Sequence, residues 1–390
     1  MKAFQRCVIP VSTHHAGTLT ATRAGRASSS PAFSREVSVW RNGASSWLAG
    51  ARSGQAVGFG RERRAAVHAR AAPARSGKAV GFGRERRAAV HARASPAGRR
   101  EHPTVELSAF VPNRLKQLSP EGLPLVVILH GLLGNSNNWR SMLTRPECCP
   151  GMYTVSVDLR NHGKSGWAET NTFAEMSDDV IEFAEGFGVR EASLVGHSMG
   201  GKVAMHLALQ YPEKVRSLVV VDIAPVDYSG SMMHETILQG MASLDLGGIE
   251  STADAREKLR PFVQDAAVRE FVLTNLTLDT ASKKYSWKVN LDVLVASIRD
   301  GSLSSFPVSP GARYDGPCLF IRGAKSGYMK EEYTARILEL FPHAEFETMD
   351  TGHWPHAEVP SDFLAVLNDW FMRPENQGEG QGGDDFFPRT

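Results

Sequence analysis

The chain has 390 residues, enough for one large domain with additional segments, and a formal net charge of +2 at pH 7. This near-neutral net charge is the sum of one basic segment and one acidic segment. Residues 1–100 contain 19 Lys and Arg against 3 Glu, whereas the rest of the chain contains 25 basic and 39 acidic residues. No run of about 18 consecutive apolar residues is present, so we expect no transmembrane helix.

Residues 1–100 are rich in Ala, Arg, Ser and Gly, which is typical of an organelle transit peptide, and they lack the apolar core of a secretory signal. Within them, residues 74–96 repeat residues 51–73 with only two differences, and two copies are too few for a solenoid. We therefore expect a disordered basic presequence that organelle import machinery recognises. The alternative is a basic tail that contacts anionic surfaces or nucleic acid. We prefer targeting, and so expect no nucleic-acid partner.

Short apolar runs alternate with helical patterns from Val105 onward. Continuous apolar runs of this length are typical of buried parallel strands. Strand–helix alternation favours an α/β domain whose mostly parallel central sheet is flanked by helices on both faces. The predicted strands are 125–129, 153–157, 192–195, 218–221, 318–321 and 344–349.

Two helices flanking the sheet are predicted from amphipathic spacing. Apolar residues recur at intervals of three and four from Phe173 to Phe187, and again from Val359 to Trp370. Residues from about 226 to 312 show helical patterns without a clear buried strand, and they are too long for a structureless loop. We interpret them as a helical lid inserted after the strand 218–221, which we expect to be the sixth strand of the sheet, within a domain of residues 101–373. A disordered tail is expected at 374–390.

The clearest chemical signal is a G-x-S-x-G sequence, Gly-His-Ser-Met-Gly at residues 196–200. It follows a predicted strand and opens a predicted helix, which is the strand–turn–helix context that a nucleophilic serine requires. The glycines permit a sharp turn that lifts the Ser198 hydroxyl above the sheet edge. The alternative is an accidental glycine-rich turn. We predict that Ser198 is a nucleophile.

A serine hydroxyl is a weak nucleophile at neutral pH and needs a general base. His353 follows the predicted strand 344–349 and precedes the last helix, the expected position for that base. The nearest competitor is His356, for which a supporting role is preferred. We predict that His353 removes the proton from Ser198.

The acid that orients the base is harder to assign. No Asp or Glu follows the strand 318–321 before Glu331, although the acid commonly lies there. Asp222, at the end of the preceding strand, could instead accept the Nδ1–H of His353. Asp227 is a weaker candidate, and Ser326 could join the same hydrogen-bond network. We predict Asp222.

The oxyanion formed during acyl transfer needs two hydrogen-bond donors. One is expected from the backbone N–H of Met199, and the other from the backbone N–H of Leu132, in the loop after strand 125–129. His130 and His162 are expected to brace the loops around the site. No metal-ligand spacing is present, and we expect neither a metal nor a cofactor.

Four stretches together carry a family resemblance: residues 130–134, 158–165, 196–202 and 221–228. They resemble one subgroup of the α/β-hydrolase superfamily, over about residues 104–373. The resemblance implies an α/β-hydrolase fold. It also implies a serine esterase of broad acyl specificity, with thioesters and lipid esters as further substrates, acting through an acyl-enzyme on small-molecule esters.

The same resemblance also concerns which residue is the acid and in which organelle the protein lies. In a bacterial esterase of this subgroup the acid matches Asp222, and a serine matching Ser326 joins the network. Animal members are mitochondrial, which favours the mitochondrion over the chloroplast. Two alternatives stay open: a carbon–carbon bond hydrolase, which shares the triad, and a non-enzymatic or single-turnover ligand receptor on the same fold. Ser198 argues against dehalogenases and epoxide hydrolases, which use an Asp nucleophile.

Overall fold

The computed structural model describes residues 102–120, 122–229 and 232–377 of the chain. The expected presequence at residues 1–100, with its repeat, lies outside the described residues. Most of the expected disordered tail also lies outside them. Targeting to an organelle therefore stays a prediction from composition.

One sheet of seven strands organises the described residues. The strands are β1 (Ala109–Phe110), β2 (Leu125–Leu129), β3 (Tyr153–Val157), β4 (Ala192–His197), β5 (Val215–Val221), β8 (Cys318–Gly323) and β9 (Ala344–Met349). Their order across the sheet is β1–β3–β2–β4–β5–β8–β9. Every adjacent pair is parallel except the edge pair β1–β3, which is antiparallel. All six predicted strands are present, with small changes in their ends.

Helices lie on both faces of this sheet, as the strand–helix alternation predicts. The helix predicted from Phe173 begins there but ends at Glu185, before Phe187. The helices are α1 (Arg140–Leu143), α2 (Phe173–Glu185), α3 (Met199–Gln210), α4 (Met232–Ser243), α5 (Thr252–Leu259), α6 (Ala266–Leu273), α7 (Leu291–Arg299), α8 (Thr334–Leu340), α9 (Pro355–Glu358), α10 (Pro360–Met372) and α11 (Pro374–Gln377).

The central strands are buried on both faces because their side chains alternate between two separate cores. In β2, Val127 faces the larger core beneath α2 and α3, whereas Val126 and Ile128 face a smaller core. That smaller core packs against α1 and α10, through residues such as Phe363 and Leu367. Because both faces of these strands are buried, their sequences are unbroken apolar runs.

The predicted lid corresponds to a segment between β5 and β8, which we call the inserted segment (residues 226–312). It contains α4 to α7 and also a small antiparallel pair, β6 (Leu276–Leu278) and β7 (Tyr285–Trp287), that the sequence did not predict. The segment follows the fifth strand of the described residues rather than the sixth. This strand, β5, is the one predicted at 218–221, and it is the fifth because β1, of only two residues, is the single described strand before β2.

The C-terminal boundary also differs from the prediction. Residues 374–377 form a helical turn, α11, rather than disordered chain. The buried Asn376 side chain donates a 2.7 Å hydrogen bond from Nδ2 to the carbonyl of Trp370, which ties this turn to the end of α10. Among the described residues, none of the helices has the length and apolarity needed to span a bilayer.

Candidate active site

The turn between β4 and α3 holds Ser198 in a conformation that few residues adopt. Its φ of +52° and ψ of −118° lie outside the usual regions for an L-residue. Its backbone N–H donates 3.0 Å to the carbonyl of Val221, which fixes the turn against the end of β5. The structure therefore has the strand–turn–helix geometry that the G-x-S-x-G sequence predicts.

The glycines of this turn are required by close backbone contacts. A Cβ at Gly196 would lie 2.3 Å from the carbonyl oxygen of Gly200. A Cβ at Gly200 would lie 2.5 Å from the carbonyl oxygen of Leu129 and 2.6 Å from that of His130. These distances are shorter than any normal carbon–oxygen contact, so the turn can pack against β2 only without side chains there.

Asp222 is fully buried directly after β5, and its φ is also positive, at +52°. Its Oδ1 accepts a 2.9 Å hydrogen bond from the backbone N–H of Gly323. Its Oδ2 accepts hydrogen bonds from the hydroxyl of Ser326 and from the imidazole of His353. The carboxylate is thus held by three donors, two from the end of β8 and the loop after it and one from the loop after β9.

His353 lies in the loop after β9, and its Nδ1–H donates 2.7 Å to Asp222 Oδ2. The ring of Tyr328 stacks on it, with centroids 4.1 Å apart and planes 27° from parallel. Its backbone carbonyl accepts a 2.8 Å hydrogen bond from Nε2 of His197, the neighbour of the serine. With Nδ1 protonated, the neutral ring leaves Nε2 able to accept a proton.

The structure makes one of the two hydrogen bonds expected in the line from serine through imidazole to carboxylate. His353 is bonded to Asp222, and the backbone of Ser198 is bonded to the residue before Asp222. Within the described residues, no hydrogen bond joins the Ser198 hydroxyl to His353. Such bonds are often long without substrate and shorten when it binds.

The alternative candidates for the base and the acid, His356 and Asp227, do not join this group of hydrogen-bonded residues. His356 is buried and stacks on Trp139, with ring centroids 4.1 Å apart, and burial lowers its pKa to about 3. Asp227 is exposed, and its Oδ1 accepts from the backbone N–H of Ser229. Neither side chain contacts Asp222 or His353 through a hydrogen bond among the described residues.

The loop after β2 runs directly over the serine. A Cβ at Gly131 would lie 3.2 Å from the Cβ of Ser198. Leu132 and Met199, whose N–H groups are the predicted oxyanion donors, line the same cavity as Ser198. The structure therefore places both of these residues at the cavity that Ser198 lines.

His130 and His162 brace this loop as the sequence predicts. Nε2 of His130 accepts 2.9 Å from the N–H of Leu159, and Nε2 of His162 accepts 3.3 Å from the N–H of Leu133. Both Nδ1 atoms face backbone carbonyls, so both rings are neutral with the proton on Nδ1. Burial lowers both pKa values, that of His162 to about 3.

A cavity of about 430 Å³, including its mouth, opens beside the serine. Its walls come from the loop after β2, from α3 and from the inserted segment. The polar residues lining it that the sequence analysis missed include Lys202, His234 and Tyr328. Lys202 lies in the stretch that carries the family resemblance, four residues after Ser198, and that spacing was the only available signal.

Two of these residues join the inserted segment to the loop after β8. His234 in α4 contacts the hydroxyl of Tyr328 at 3.1 Å through Nε2. Burial lowers the pKa of His234 to about 4, and burial raises the pKa of Tyr328. The phenol therefore donates to a neutral imidazole. No group of three or more His, Cys, Asp or Glu side chains suited to a metal ion occurs among the described residues.

A comparison with protein families matches residues 124–360 to the alpha/beta hydrolase fold. Because the match covers more than half of the chain, the protein belongs to that family. The α/β-hydrolase fold predicted from the sequence is therefore confirmed, together with its mostly parallel sheet and flanking helices.

Relatives within the family support a narrower class. The sn-1-specific diacylglycerol lipase ABHD11 of Mus musculus is 36% identical over 250 residues, covering 63% of this chain and 80% of the relative. A putative esterase/lipase of Haemophilus influenzae is 33% identical over 246 residues, covering 62% of this chain and 80% of the relative. A solved marine microorganism esterase has a TM-score of 0.63 at 29% identity, covering 68% of this chain and all of that one. The predicted resemblance to this subgroup is confirmed, and these names agree with a carboxylic ester hydrolase.

Proposed function

We propose that this protein is a carboxylic ester hydrolase that acts through an acyl-enzyme on Ser198, with His353 as general base and Asp222 as the acid. The observation that carries the proposal is the 2.7 Å hydrogen bond from His353 Nδ1 to a fully buried Asp222 carboxylate, beside a serine in the strained turn. Relatives named as esterases and lipases support the reaction class.

The first half of the reaction forms the acyl-enzyme. Nε2 of His353 accepts the Ser198 proton as the hydroxyl oxygen attacks the ester carbonyl carbon. The carbon–oxygen bond to the alcohol then breaks, and the imidazolium returns the proton to the departing alkoxide. In the second half, His353 activates a water molecule that releases the carboxylic acid and regenerates Ser198.

Charge builds up on the carbonyl oxygen in both halves. The backbone N–H groups of Leu132 and Met199 would donate to that oxygen, and losing one such donor typically costs about 10²–10³ in rate. Asp222 would stabilise the imidazolium formed on His353, and the Ser326 hydroxyl would hold the carboxylate in line. No cofactor enters these steps.

The substrates we propose are small-molecule esters, including lipid esters. The mouse relative is named for sn-1-specific diacylglycerol lipase activity. The cavity beside Ser198 has apolar walls from Leu132, Ile223 and Leu303, which suit an acyl chain. Acyl thioesters have the same electrophilic carbonyl and are further candidates.

Labelling by a fluorophosphonate probe tests the nucleophile directly. The purified protein should react within minutes at Ser198 and should turn over p-nitrophenyl acetate steadily, whereas Ser198→Ala should do neither. Labelling with a single burst and no steady turnover would instead indicate a ligand receptor. Turnover of a vinylogous diketone but not of esters would indicate a carbon–carbon bond hydrolase.

A further inference from the structure

A buried lysine lies one helical turn after the candidate nucleophile. Lys202 is only 3% exposed, and its backbone N–H donates 3.1 Å to the carbonyl of Ser198. Side chains four residues apart share one face of a helix, and they lean toward its N-terminus. The Lys202 side chain is therefore directed toward the end of α3 that carries Ser198, and it lines the same cavity.

The Lys202 ammonium has few partners of its own. Nζ donates 2.7 Å to the carbonyl of Ser304, with a second carbonyl, that of Ser305, at 3.5 Å. It also lies 4.7 Å from the ring centroid of Tyr228 and 5.5 Å from that of Phe173. Among the described residues, no carboxylate lies within 4.0 Å of it. The nearest acidic influence is Asp227, which is exposed to solvent.

A buried cation without a carboxylate partner is costly, so such groups are normally paired or serve a function. Burial lowers the pKa of Lys202 to about 7. None of the described residues that line the cavity is acidic, because the titratable ones besides Lys202 are His234, Tyr228 and Tyr328. A ligand could therefore supply the missing counter-ion.

We propose that Lys202 is a substrate-binding residue that pairs with an anionic group, such as a carboxylate, on the ester that occupies this cavity. The inference rests on the proposed ester hydrolysis and narrows its substrate class. The carboxylate would displace the weak second carbonyl contact of Nζ and hold the ester with its carbonyl above Ser198. Neutral lipid esters would then be poorer substrates than anionic esters of similar length.

Matched substrates test this pairing. One set is the p-nitrophenyl esters of succinic, glutaric and adipic acids, each beside its methyl-capped neutral counterpart. A second set places the charge on the alcohol side, with 4-acetoxybenzoate beside its methyl ester. We expect one set to show a kcat/KM ratio of anionic to neutral substrate above one. That ratio should fall about tenfold or more in Lys202→Met, which keeps the apolar stem and removes the charge.

Lys325→Met is the control, because it removes an exposed positive charge near the site and should leave the ratio within twofold. A structural role that only pins Ser304 predicts that Lys202→Met lowers both activities equally, and that outcome would overturn the proposal. A wild-type ratio at or below one in both sets would overturn it as well.

A binding measurement separates this inference from the proposed mechanism. Calorimetric titration of Ser198→Ala with monomethyl glutarate and with 4-acetoxybenzoate requires no turnover. If one of these two anions binds, and if Lys202→Met weakens that binding at least tenfold, the pairing is supported even when ester hydrolysis is not observed. If the protein hydrolyses esters but Lys202→Met does not change the binding of either anion, the pairing is rejected and the proposed hydrolysis through Ser198 stands.

Discussion

Asp222 Oδ2 accepts from two donors at once, the His353 imidazole and the Ser326 hydroxyl, while Oδ1 accepts from the backbone of Gly323. An oxygen held in this way has little freedom to rotate. The ring of Tyr328 also stacks on one face of the His353 imidazole and restricts its movement. The geometry suits a carboxylate that orients an imidazole and stabilises its cation, rather than one that exchanges protons itself.

Replacing Asp222 with Asn tests this role. An amide keeps the shape but can turn its NH₂ toward His353, which favours the wrong tautomer of the imidazole. We expect Asp222→Asn to lower kcat by about 10⁴, as in the serine protease precedent. Steady-state hydrolysis of p-nitrophenyl acetate measures the effect.

The matched control is Asp227→Asn, because Asp227 is the other acidic candidate and its carboxylate is exposed. It should retain kcat within twofold. A loss of less than tenfold in Asp222→Asn would move the acid to another residue.

Single residues differ in how well the sequence predicts them. Ser198, Asp222 and His353 follow predicted strands, and the carboxyl ends of parallel strands meet at one sheet edge. Lys202, His234 and Tyr328 could not be assigned in this way. Lys202 lies on α3 and Tyr328 in the loop after β8, but the cavity that they share with His234 forms only when the inserted segment folds over the sheet, and no local pattern in the sequence encodes those contacts.

At the scale of elements, the turn from β4 into α3 depends on backbone contact with β2. The carbonyl oxygens of Leu129 and His130 would lie 2.5 Å and 2.6 Å from a Cβ at Gly200. The loop after β2 carries Leu132, so a displacement there would move this proposed oxyanion donor as well as change the packing. The contact of Gly200 with the end of β2 therefore affects both the packing of the turn and the position of Leu132.

Gly200→Ala should therefore impair both stability and activity. Overpacking of this kind typically costs about 1–3 kcal/mol. Displacing one oxyanion donor costs about 10²–10³ in kcat. Urea unfolding and ester hydrolysis measure the two effects. Gly327→Ala is the control, since a Cβ at Gly327 meets nothing within 4 Å. Full activity in Gly200→Ala would show that the loop after β2 adjusts freely.

The strands of the central sheet were predictable because burial on both faces makes them continuous apolar runs. β1, β6 and β7 were missed because each has only two or three residues and none of these is buried. The helical turn at residues 374–377 was missed for a related reason. It depends on one buried amide, Asn376, bonding to the end of α10, and composition alone indicated disorder.

At the scale of the whole molecule, several imidazoles are buried or half-buried in neutral form. Burial lowers the pKa of His162 and His356 to about 3, and that of His206 and His234 to about 4. In the unfolded chain these rings have pKa values near 6.5. The unfolded state therefore binds more protons than the folded state below that pH, so acid destabilises the fold.

Stability should be complete above about pH 6.5 and should fall as the pH decreases toward 3. At pH 5, each histidine with a folded pKa near 3 should lower the free energy of unfolding by about 2 kcal/mol relative to pH 8. Urea unfolding at pH 8 and pH 5 measures the difference.

His356→Phe isolates one contribution, because the new ring can keep the stacking on Trp139 while no longer titrating. Nδ1 of His356 has no hydrogen-bond partner among the described residues, so the substitution breaks no bond there. The variant should recover about 2 kcal/mol at pH 5 relative to wild type and much less at pH 8. His343→Gln, at an exposed position, is the control and should leave the pH dependence unchanged. Equal acid sensitivity in wild type and His356→Phe would show that the buried His356 ring does not contribute to it.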